Sequence, residues 1–500
     1  MYRMSFCGGS LALLLVLSTQ AADPAAYGDK TNLTTNAFLD KALKPKPEES
    51  DVNKVIEIGS RLELMVDDFL IERMDGVQLK LQTPREMPLA DSPLLDAAYA
   101  TVIKDGDLYR AYYRQMILGY KGPSDSGNPG ETTCYAESPD GIKWLKPNLD
   151  LFEINGSRAN NVILHESPFC HNFSPFLDTR PEKDRGKRFK ALAGLHHTGG
   201  LYAFESGDGT HWTKMQNTPV ITYSPPTPQD FAFDSQNIAF WSEAERCYVC
   251  YFRTWKTPHG DLRTISRRTS PDFLHWSEPV AMNPNLPGEH LYTSQTHPYF
   301  RAPHIYVALP TRYIAGRVGE QETNAMLGST DILLMTSRAG ATTYDRLFTE
   351  AFIRPGLDPA RWESRANYVA LNVVPTSPSE MSIYHSVSGH RYVLRTDGFV
   401  SARAGFTKGE LLTKPLSFSG KELILNYSTS AAGSLRIEIQ DANGAPLSGL
   451  RLDDCPAIIG DEIERHVEWK QKTDLGALQG KPVRLRFVMT ECDLYSFRFR

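Results

Sequence analysis

The chain contains 500 residues, of which 41% are hydrophobic, 23% are charged and 10% are aromatic, and its formal net charge is −5. This length exceeds what a single compact core usually supports, so two or more domains are expected. The acidic balance argues against nucleic acid or an anionic membrane surface as a partner, because both recruit basic proteins.

The amino terminus predicts export. A basic start is followed by an apolar run at residues 11–17 and by small residues at 18–22, which is the pattern of a secretory signal peptide at residues 1–22. The apolar run is shorter than the roughly 20 residues that a membrane-spanning helix needs. We therefore expect a secreted or periplasmic protein without membrane insertion. Residues 23–58 are polar and rich in Pro, Lys and Glu, which predicts a linker.

A strand–turn–strand unit recurs five times between residues 59 and 405, with second strands at 108–114, 188–194, 247–253, 304–310 and 391–396. The first three copies are followed by a Ser-x-Asp-x-x-x-Trp signature that ends at Trp144, Trp212 and Trp276, and a degenerate copy ends at Tyr344. Successive ends are 68, 64 and 68 residues apart. Such a β-rich period is typical of propeller blades, so residues 59–405 are predicted to form a five-bladed β-propeller.

The signature itself is expected to serve the fold. Its Asp accepts hydrogen bonds from the local backbone in a tight turn, and its Trp supplies a large apolar contact between neighbouring blades. We therefore do not assign the signature to the active site.

The sequence pattern changes after residue 405. Short alternating strands broken by Gly, Pro and Asn continue to the carboxyl terminus without the Trp-ended signature, which predicts a β-sandwich at residues 406–500. Helical periodicity is weak throughout, so the predicted fold class is all-β. Cys455 and Cys492 could form a disulfide in an exported protein, and the sequence does not decide whether they do.

The repeated signature resembles the five-bladed glycoside hydrolases of families 32, 43, 62 and 130, and a β-sandwich after the propeller is similar to the family 32 arrangement. The resemblance implies an enzyme that cleaves glycosidic bonds with carboxylates from different blades at the axial funnel. The Trp-Met-Asn-Asp-Pro-Asn and Arg-Asp-Pro motifs of family 32 are absent, and the Glu491-Cys492 pair lies in the C-terminal region. The chain is therefore interpreted as a divergent member, to which residue roles do not transfer directly.

Glycoside hydrolysis requires a protonated carboxylic acid and a second carboxylate, roughly 5–10 Å apart. In a propeller, both are expected on or just before the innermost strands of separate blades. The acidic candidates are Asp96 in the first blade, Asp234 in the third, Glu289 in the fourth and Glu380 in the fifth. Glu289 or Glu380 is predicted to be the acid, and Asp234 or Asp96 the base or nucleophile. The apolar neighbours of Asp234 are expected to raise the pKa of its carboxyl group.

The predicted substrate-binding residues are His171, Arg180, Gln236, Asn237, His297, Arg312 and Arg365. Several arginines at one funnel would suit an acidic sugar, because guanidinium matches carboxylate or sulfate geometry, although inter-blade ion pairs are an alternative. Trp255, Tyr292 and Tyr368 could stack on sugar rings or belong to the core. No recognised zinc spacing and no phosphate-binding loop occurs, so neither a metal nor another cofactor is predicted.

The leading hypothesis is an exported glycoside hydrolase that acts from chain ends at a single axial pocket. The alternative is a non-catalytic, lectin-like propeller that binds carbohydrate, and a third possibility is a propeller for protein interaction. The sequence leaves the sugar, retention or inversion of configuration, and hydrolysis or phosphorolysis open.

Overall fold

The computed structural model describes residues 54–94, 96–181, 184–222, 232–317, 328–363, 365–470 and 474–500. The predicted signal peptide and most of the predicted linker lie outside these ranges. Regular structure in the described ranges consists of β-strands and short 3-10 helices, which confirms the all-β prediction. No helix within them is long and apolar enough to cross a membrane.

Five strands precede the repeats. They are β1 (Ile56–Gly59), β2 (Glu63–Leu64), β3 (Ile71–Asp75), β4 (Val77–Leu81) and β5 (Arg85–Glu86). As shown below, β1 to β4 pair with strands from the other end of the chain, and β5 completes the last blade.

The first three blades are antiparallel sheets in which consecutive strands pair. The first blade contains β6 (Ala98–Asp105), β7 (Leu108–Met116), β8 (Glu131–Ser138) and β9 (Val162–Leu164). The second contains β10 (Ser174–Leu177), β11 (Phe189–Ala193), β12 (Gly200–Ser206), β13 (Thr213–Lys214) and β14 (Ile221–Thr222), and the third contains β15 (Ile238–Ser242), β16 (Cys247–Thr257), β17 (Gly260–Ser270) and β18 (Val280–Ala281).

The fourth blade carries an inserted sheet. Its own strands are β20 (His297–Tyr299), β21 (Ala302–Ala308) and β24 (Met335–Arg338), and the inserted sheet contains β19 (Glu289–Leu291), β22 (Thr311–Ala315) and β23 (Gly328–Ile332). The fifth blade contains β25 (Val374–Pro375), β26 (Glu380–Tyr384), β27 (Arg391–Arg395) and the early strand β5. Because β5 comes from before the first blade, its pairing with β27 closes the ring non-covalently.

The innermost strands form the ring. β6 contacts β10, β10 contacts β15, β15 contacts β20, and β25 contacts β6. The gap between the fourth and fifth blades is bridged by the Val373 amide, which donates to His297 Nε2 at 3.0 Å. Thr101 and Leu371 form a parallel bridge across the closure, so the first and fifth innermost segments run in the same direction. This closed arrangement is the predicted five-bladed β-propeller.

The blade signatures pack as predicted. In the first copy, Asp140 Oδ1 accepts hydrogen bonds from the Ile142 and Lys143 amides at 2.7 and 3.0 Å, which holds the turn. Trp144 then lies edge-on to Tyr384 of the fifth blade, with ring centroids 5.7 Å apart. Trp212 of the second blade likewise lies edge-on to Tyr112 of the first, with ring centroids 6.3 Å apart, so both of these Trp side chains join one blade to its neighbour.

The carboxyl-terminal strands are β28 (Val400–Ala404), β29 (Gly409–Thr413), β30 (Leu416–Phe418), β31 (Leu423–Asp441), β32 (Asp461–His466) and β33 (Val483–Phe499). They form a ten-stranded sheet together with β1 to β4. The long strands β31 and β33 pair along most of their length, with a bulge between Thr429 and Ser434. At this bulge the sheet bends around one apolar core, which makes the β-sandwich.

Two segments that the sequence analysis assigned to the propeller, residues 59–81 and 400–404, contribute strands to this sheet. β3 pairs with β29, and β28 lies between β4 and β33. The strands β29 and β28 need β3 and β4 as partners, because an unpaired strand edge would leave its backbone N–H and C=O groups without hydrogen bonds. Cys455 and Cys492 are buried free thiols in the same core.

Candidate active site

Polar side chains converge at the end of the ring where the innermost strands begin. Asp234 lies four residues before β15, His171 three residues before β10 and Tyr368 six residues before β25. Tyr99, near the start of β6, lies edge-on to both His171 and Tyr368, at centroid distances of 5.8 and 6.2 Å. Residues of four blades, the first, second, third and fifth, therefore converge at one axial funnel.

Asp234 is the outer member of a hydrogen-bonded chain. Its Oδ1 lies 3.2 Å from His171 Nε2, and the other ring nitrogen of His171 lies 2.9 Å from Glu131 Oε1. Arg114 Nη1 lies 3.4 Å from the same Glu131 oxygen and donates to the His171 carbonyl at 3.1 Å. The Asp234 side chain is 36% exposed, whereas those of His171 and Glu131 are 7% and 6% exposed. Asp234 is thus the carboxylate that a ligand can reach.

The pKa of Asp234 is lowered, which contradicts the sequence-based expectation of a raised pKa. Burial raises the pKa of this carboxyl group, but the hydrogen bond from His171 and the positive charges of Arg253 and Arg263 outweigh burial. The apolar neighbours in sequence, Phe233 among them, are turned into the core instead. Asp234 is therefore ionised at neutral pH, so it can accept a proton or attack as a nucleophile but cannot serve as an acid.

Three arginines surround the buried phenol of Tyr292 beside Asp234. The guanidinium carbons of Arg263, Arg253 and Arg365 lie 4.5, 5.2 and 5.8 Å from the Tyr292 ring centroid. Arg365 Nε donates to the Tyr292 hydroxyl at 3.2 Å, and Arg253 Nη2 donates to the Tyr292 carbonyl. We call these three residues the arginine cluster.

The arginine cluster has an excess of positive charge. In the described part of the chain, none of its members forms a salt bridge with a carboxylate within 4.0 Å, and Arg253 Nη1 and Arg263 Nε have no hydrogen-bond partner. Arg253 and Arg263 are only 3% and 6% exposed. Burial and the neighbouring Arg263 lower the pKa of Arg253, and Asp234 offsets this in part. Buried charges of one sign are costly, so an anion bound here would be stabilised.

The phenols in the funnel differ in acidity. Burial raises the pKa of Tyr99 to about 12 and also raises that of Tyr368. For Tyr292, burial acts in the same direction, but the arginine cluster outweighs it and lowers the pKa of the phenol. Tyr292 is therefore the most acidic of these three phenols.

Glu289 and Arg312 lie in a buried ion-pair network of the fourth blade. Glu289 accepts two hydrogen bonds from Arg346, at 2.7 and 3.1 Å, and its side chain is 3% exposed. Arg312 lies 3.9 Å from Glu289 and binds Asp331 at 2.6 Å. The Glu289 carboxylate is thus neutralised by an internal cation and is not presented to the funnel.

Glu380 and Arg180 lie at the far end of the ring. Both follow an innermost strand, β25 or β10, whereas the funnel residues precede these strands. Glu380 forms a surface ion pair with Arg85 at 3.3 Å, and the Arg180 guanidinium lies 5.6 Å from the Tyr248 ring. Asp96 is exposed at the rim, with a φ angle of +49°.

Gln236 and His297 each join two blades, and Asn237 holds the loop before β15 within the third blade. Gln236 Nε2 donates to Thr101 Oγ1 at 2.8 Å, and Asn237 Nδ2 donates to the Ser235 carbonyl at 2.9 Å. Burial lowers the pKa of His297 to about 4, so its neutral ring accepts the bond from Val373 described above. Of the residues predicted for the site, the structure brings together Asp234, His171 and Arg365.

The sequence analysis did not include Tyr99, Arg114, Glu131 and Arg263. Arg114 is the last residue of the first repeated second strand, and Arg263 pairs across the hairpin with Trp255. Nothing in their local sequence separates them from the other charged strand residues, so only their convergence on the axis marks them. Among the described residues, no group of three or more His, Cys, Asp and Glu side chains is placed to hold a metal ion.

Comparison with known proteins gives remote similarities. No family model and no curated protein matches the chain. Among solved structures, the chain is similar to a family 43 arabinoxylan arabinofuranohydrolase from Bacillus subtilis at 13% identity and a TM-score of 0.38, covering 81% of this chain and 96% of that one. It is similar to an N-acetylgalactosamine deacetylase from F. plautii at 12% identity and a TM-score of 0.39, covering 83% and 95%.

A third similarity is to an α-L-arabinofuranosidase from Clostridium thermocellum, at 11% identity and a TM-score of 0.36, covering 61% of this chain and 92% of that one. These neighbours include family 43 glycoside hydrolases, one of the families that the blade signature resembles.

Proposed function

We propose that this chain is an exported glycoside hydrolase that removes sugars from chain ends, with Asp234 as the base that activates water. The observation that carries the proposal is the ionised and half-exposed Asp234 carboxylate at the point where the blades converge. The hydrogen bond to His171, itself held by Glu131, fixes the orientation of this carboxylate. A base held in a fixed orientation at the point where the blades converge can position water for attack on the terminal sugar of a chain.

The preferred substrate is proposed to carry an acidic sugar. Arg253, Arg263 and Arg365 leave positive charge uncompensated beside Asp234, and guanidinium groups bind carboxylate or sulfate strongly. The half-buried rings of Tyr99 and Tyr368 offer apolar surface for the sugar beside these charges. A neutral sugar would leave the cluster without a counter-ion and is expected to bind more weakly.

Sugar release by the purified protein tests the hydrolase proposal. The substrates are plant and algal oligosaccharides that end in a uronic acid, each paired with its carboxyl-reduced, neutral counterpart. We expect release of one monosaccharide from the acidic member of a pair and a loss of at least about 100-fold in Asp234→Asn. Glu380→Gln, at the opposite end of the ring, is the matched control and should retain activity.

The lectin-like alternative gives a different result in the same experiment. A non-catalytic propeller would bind the acidic oligosaccharide, lose binding when the arginines are replaced, and release no sugar from any substrate. Binding without turnover by the wild-type protein would therefore reject the hydrolase proposal and favour the lectin.

A further inference from the structure

Among the residues that the structure describes, the funnel contains a base but no carboxylic acid suited to protonate the leaving group. Asp234 is ionised, and Glu131 is buried behind His171 and bound by the Gly127 amide at 3.1 Å. Glu289 neutralises Arg346 in the fourth blade, and Glu380 lies at the far end of the ring. Hydrolysis of an unactivated glycoside needs a proton donor for the departing oxygen.

Asp345 is the one carboxyl group of the described residues whose pKa is raised to about 7, but it lies elsewhere. Burial and the neighbouring charges of Asp67 and Asp68 raise this pKa. The backbone of Asp345 pairs with Thr336 in β24, on the outer side of the fourth blade. It therefore cannot donate a proton in the funnel.

We propose that Tyr292 is the general acid of this site and donates its phenolic proton to the leaving-group oxygen. The inference rests on the proposed hydrolysis, and it assigns the proton donor that this reaction needs. Tyrosine is an established proton donor in enzymes when its environment stabilises the phenolate. Here, the hydroxyl accepts a hydrogen bond from Arg365 Nε at 3.2 Å, and Arg253 and Arg263 lie against the ring.

The surroundings of Tyr292 account for this chemistry. The charged groups near it are the arginine cluster and Asp234, and the rings of Tyr313 and Tyr368 pack edge-on at 5.8 and 5.9 Å. The arginines favour the phenolate and Asp234 opposes it. When the carboxylate of an acidic sugar binds to the cluster, it adds negative charge and raises the pKa of the phenol again. Substrate binding therefore favours the protonated form of Tyr292, which is the form that can act as the acid.

The reaction balances with these two residues and one water. The Tyr292 proton passes to the glycosidic oxygen as the bond from that oxygen to the anomeric carbon breaks. A water molecule attacks the anomeric carbon and gives its proton to Asp234. After the sugar leaves, Asp234 returns its proton to solvent and the Tyr292 phenolate regains a proton from solvent, so both groups are restored for the next turnover.

A leaving-group series measures this role directly. In Tyr292→Phe, hydrolysis of a natural disaccharide should fall by about 100- to 10,000-fold, because acid assistance is lost. Hydrolysis of the p-nitrophenyl glycoside of the same sugar should fall by less than about 10-fold, because nitrophenolate departs without a proton. Asp234→Asn should lose activity on both substrates. Tyr384→Phe removes a buried hydroxyl that donates to the Gly141 carbonyl at 2.8 Å, and is the control for a lost buried phenol.

The pH profile of the Arg365→Gln protein provides a test that keeps Tyr292. Since the phenol must be protonated, activity should fall as the pH rises through the pKa of Tyr292. Removal of one cation raises that pKa, so the alkaline limb of kcat should move to higher pH in Arg365→Gln. No such shift, or an equal loss on both substrates in a folded Tyr292→Phe, would overturn the assignment. Absence of any turnover by the wild-type protein would instead reject the proposed hydrolysis.

Discussion

The ion pair between Glu289 and Arg346 predicts a large and selective loss of stability. Their side chains are 3% and 5% exposed, and two hydrogen bonds of 2.7 and 3.1 Å join them. Removing one partner leaves the other charge buried without compensation, which typically costs about 3–5 kcal/mol. Arg346→Met should therefore lower the free energy of unfolding by about this amount. Arg312, at 3.9 Å from Glu289, is too far to replace both lost hydrogen bonds.

Urea denaturation of the wild-type protein and of the variants named here measures the effect. Arg346→Met and Glu289→Gln should both unfold at lower urea concentration, and the double variant Glu289→Leu/Arg346→Met should recover part of the loss, because it leaves no unpaired charge. The surface pair of Arg85 and Glu380, whose side chains are 65% and 39% exposed, supplies the control. Replacing either of these residues should cost at most about 1 kcal/mol.

Activity separates the structural interpretation of Glu289 from a catalytic one. If Glu289 only stabilises the fourth blade, Glu289→Gln should keep kcat within about 10-fold at temperatures where it remains folded. A loss of more than about 100-fold in kcat with unchanged urea stability would refute the reasoning and return Glu289 to the active site.

Three further predictions concern the funnel and the blades. His171→Ala removes a hydrogen bond that lowers the pKa of Asp234, so the acidic limb of the pH–rate profile should move to higher pH. Asp125 is an exposed carboxylate outside this hydrogen-bonded chain, so Asp125→Asn should leave the limb unmoved. Arg253→Met should weaken binding of a uronic-acid oligosaccharide by about 10-fold or more in calorimetry, with little change for its carboxyl-reduced form. Trp212→Ala removes ring contacts with Phe173 and Tyr112 at 5.0 and 6.3 Å and should cost about 3 kcal/mol in urea denaturation, whereas the exposed Trp362→Ala should cost less than about 0.5 kcal/mol. Equal effects of His171→Ala and Asp125→Asn, equal losses of binding for the two oligosaccharides in Arg253→Met, or equal costs of Trp212→Ala and Trp362→Ala would contradict the corresponding expectation.

The repeat was readable from the sequence because each blade is a local structure. The turn of Asp140 and the ring of Trp144 come within a few residues of the strand that they follow, so their pattern recurs at a regular spacing. The candidates Asp234 and His171 were found by the same logic, since each precedes an innermost strand. A strand-based pattern therefore indicated where a funnel carboxylate should lie.

The strand pattern of the sequence could not predict whether a candidate carboxylate is neutralised inside the protein or free to bind a ligand. Glu289 and Arg346 are 57 residues apart, and Asp234 lies 63 residues from the His171 that lowers its pKa. In the sequence, Glu289 and Asp234 both come shortly before an innermost strand. In the structure, Glu289 is neutralised by Arg346, whereas Asp234 faces the funnel. Only the packing of separate blades distinguishes them.

The amino-acid sequence by itself determined an all-β chain with five repeated blades, because strand alternation, turn residues and the Trp signature act over short distances. The tertiary structure alone decided that strands from both chain ends share the sandwich, that Arg253, Arg263 and Arg365 surround Tyr292, and that Asp234 is ionised. The physical reason is that burial and Coulomb interactions depend on distance in space, and propeller closure brings together residues that are far apart in the chain.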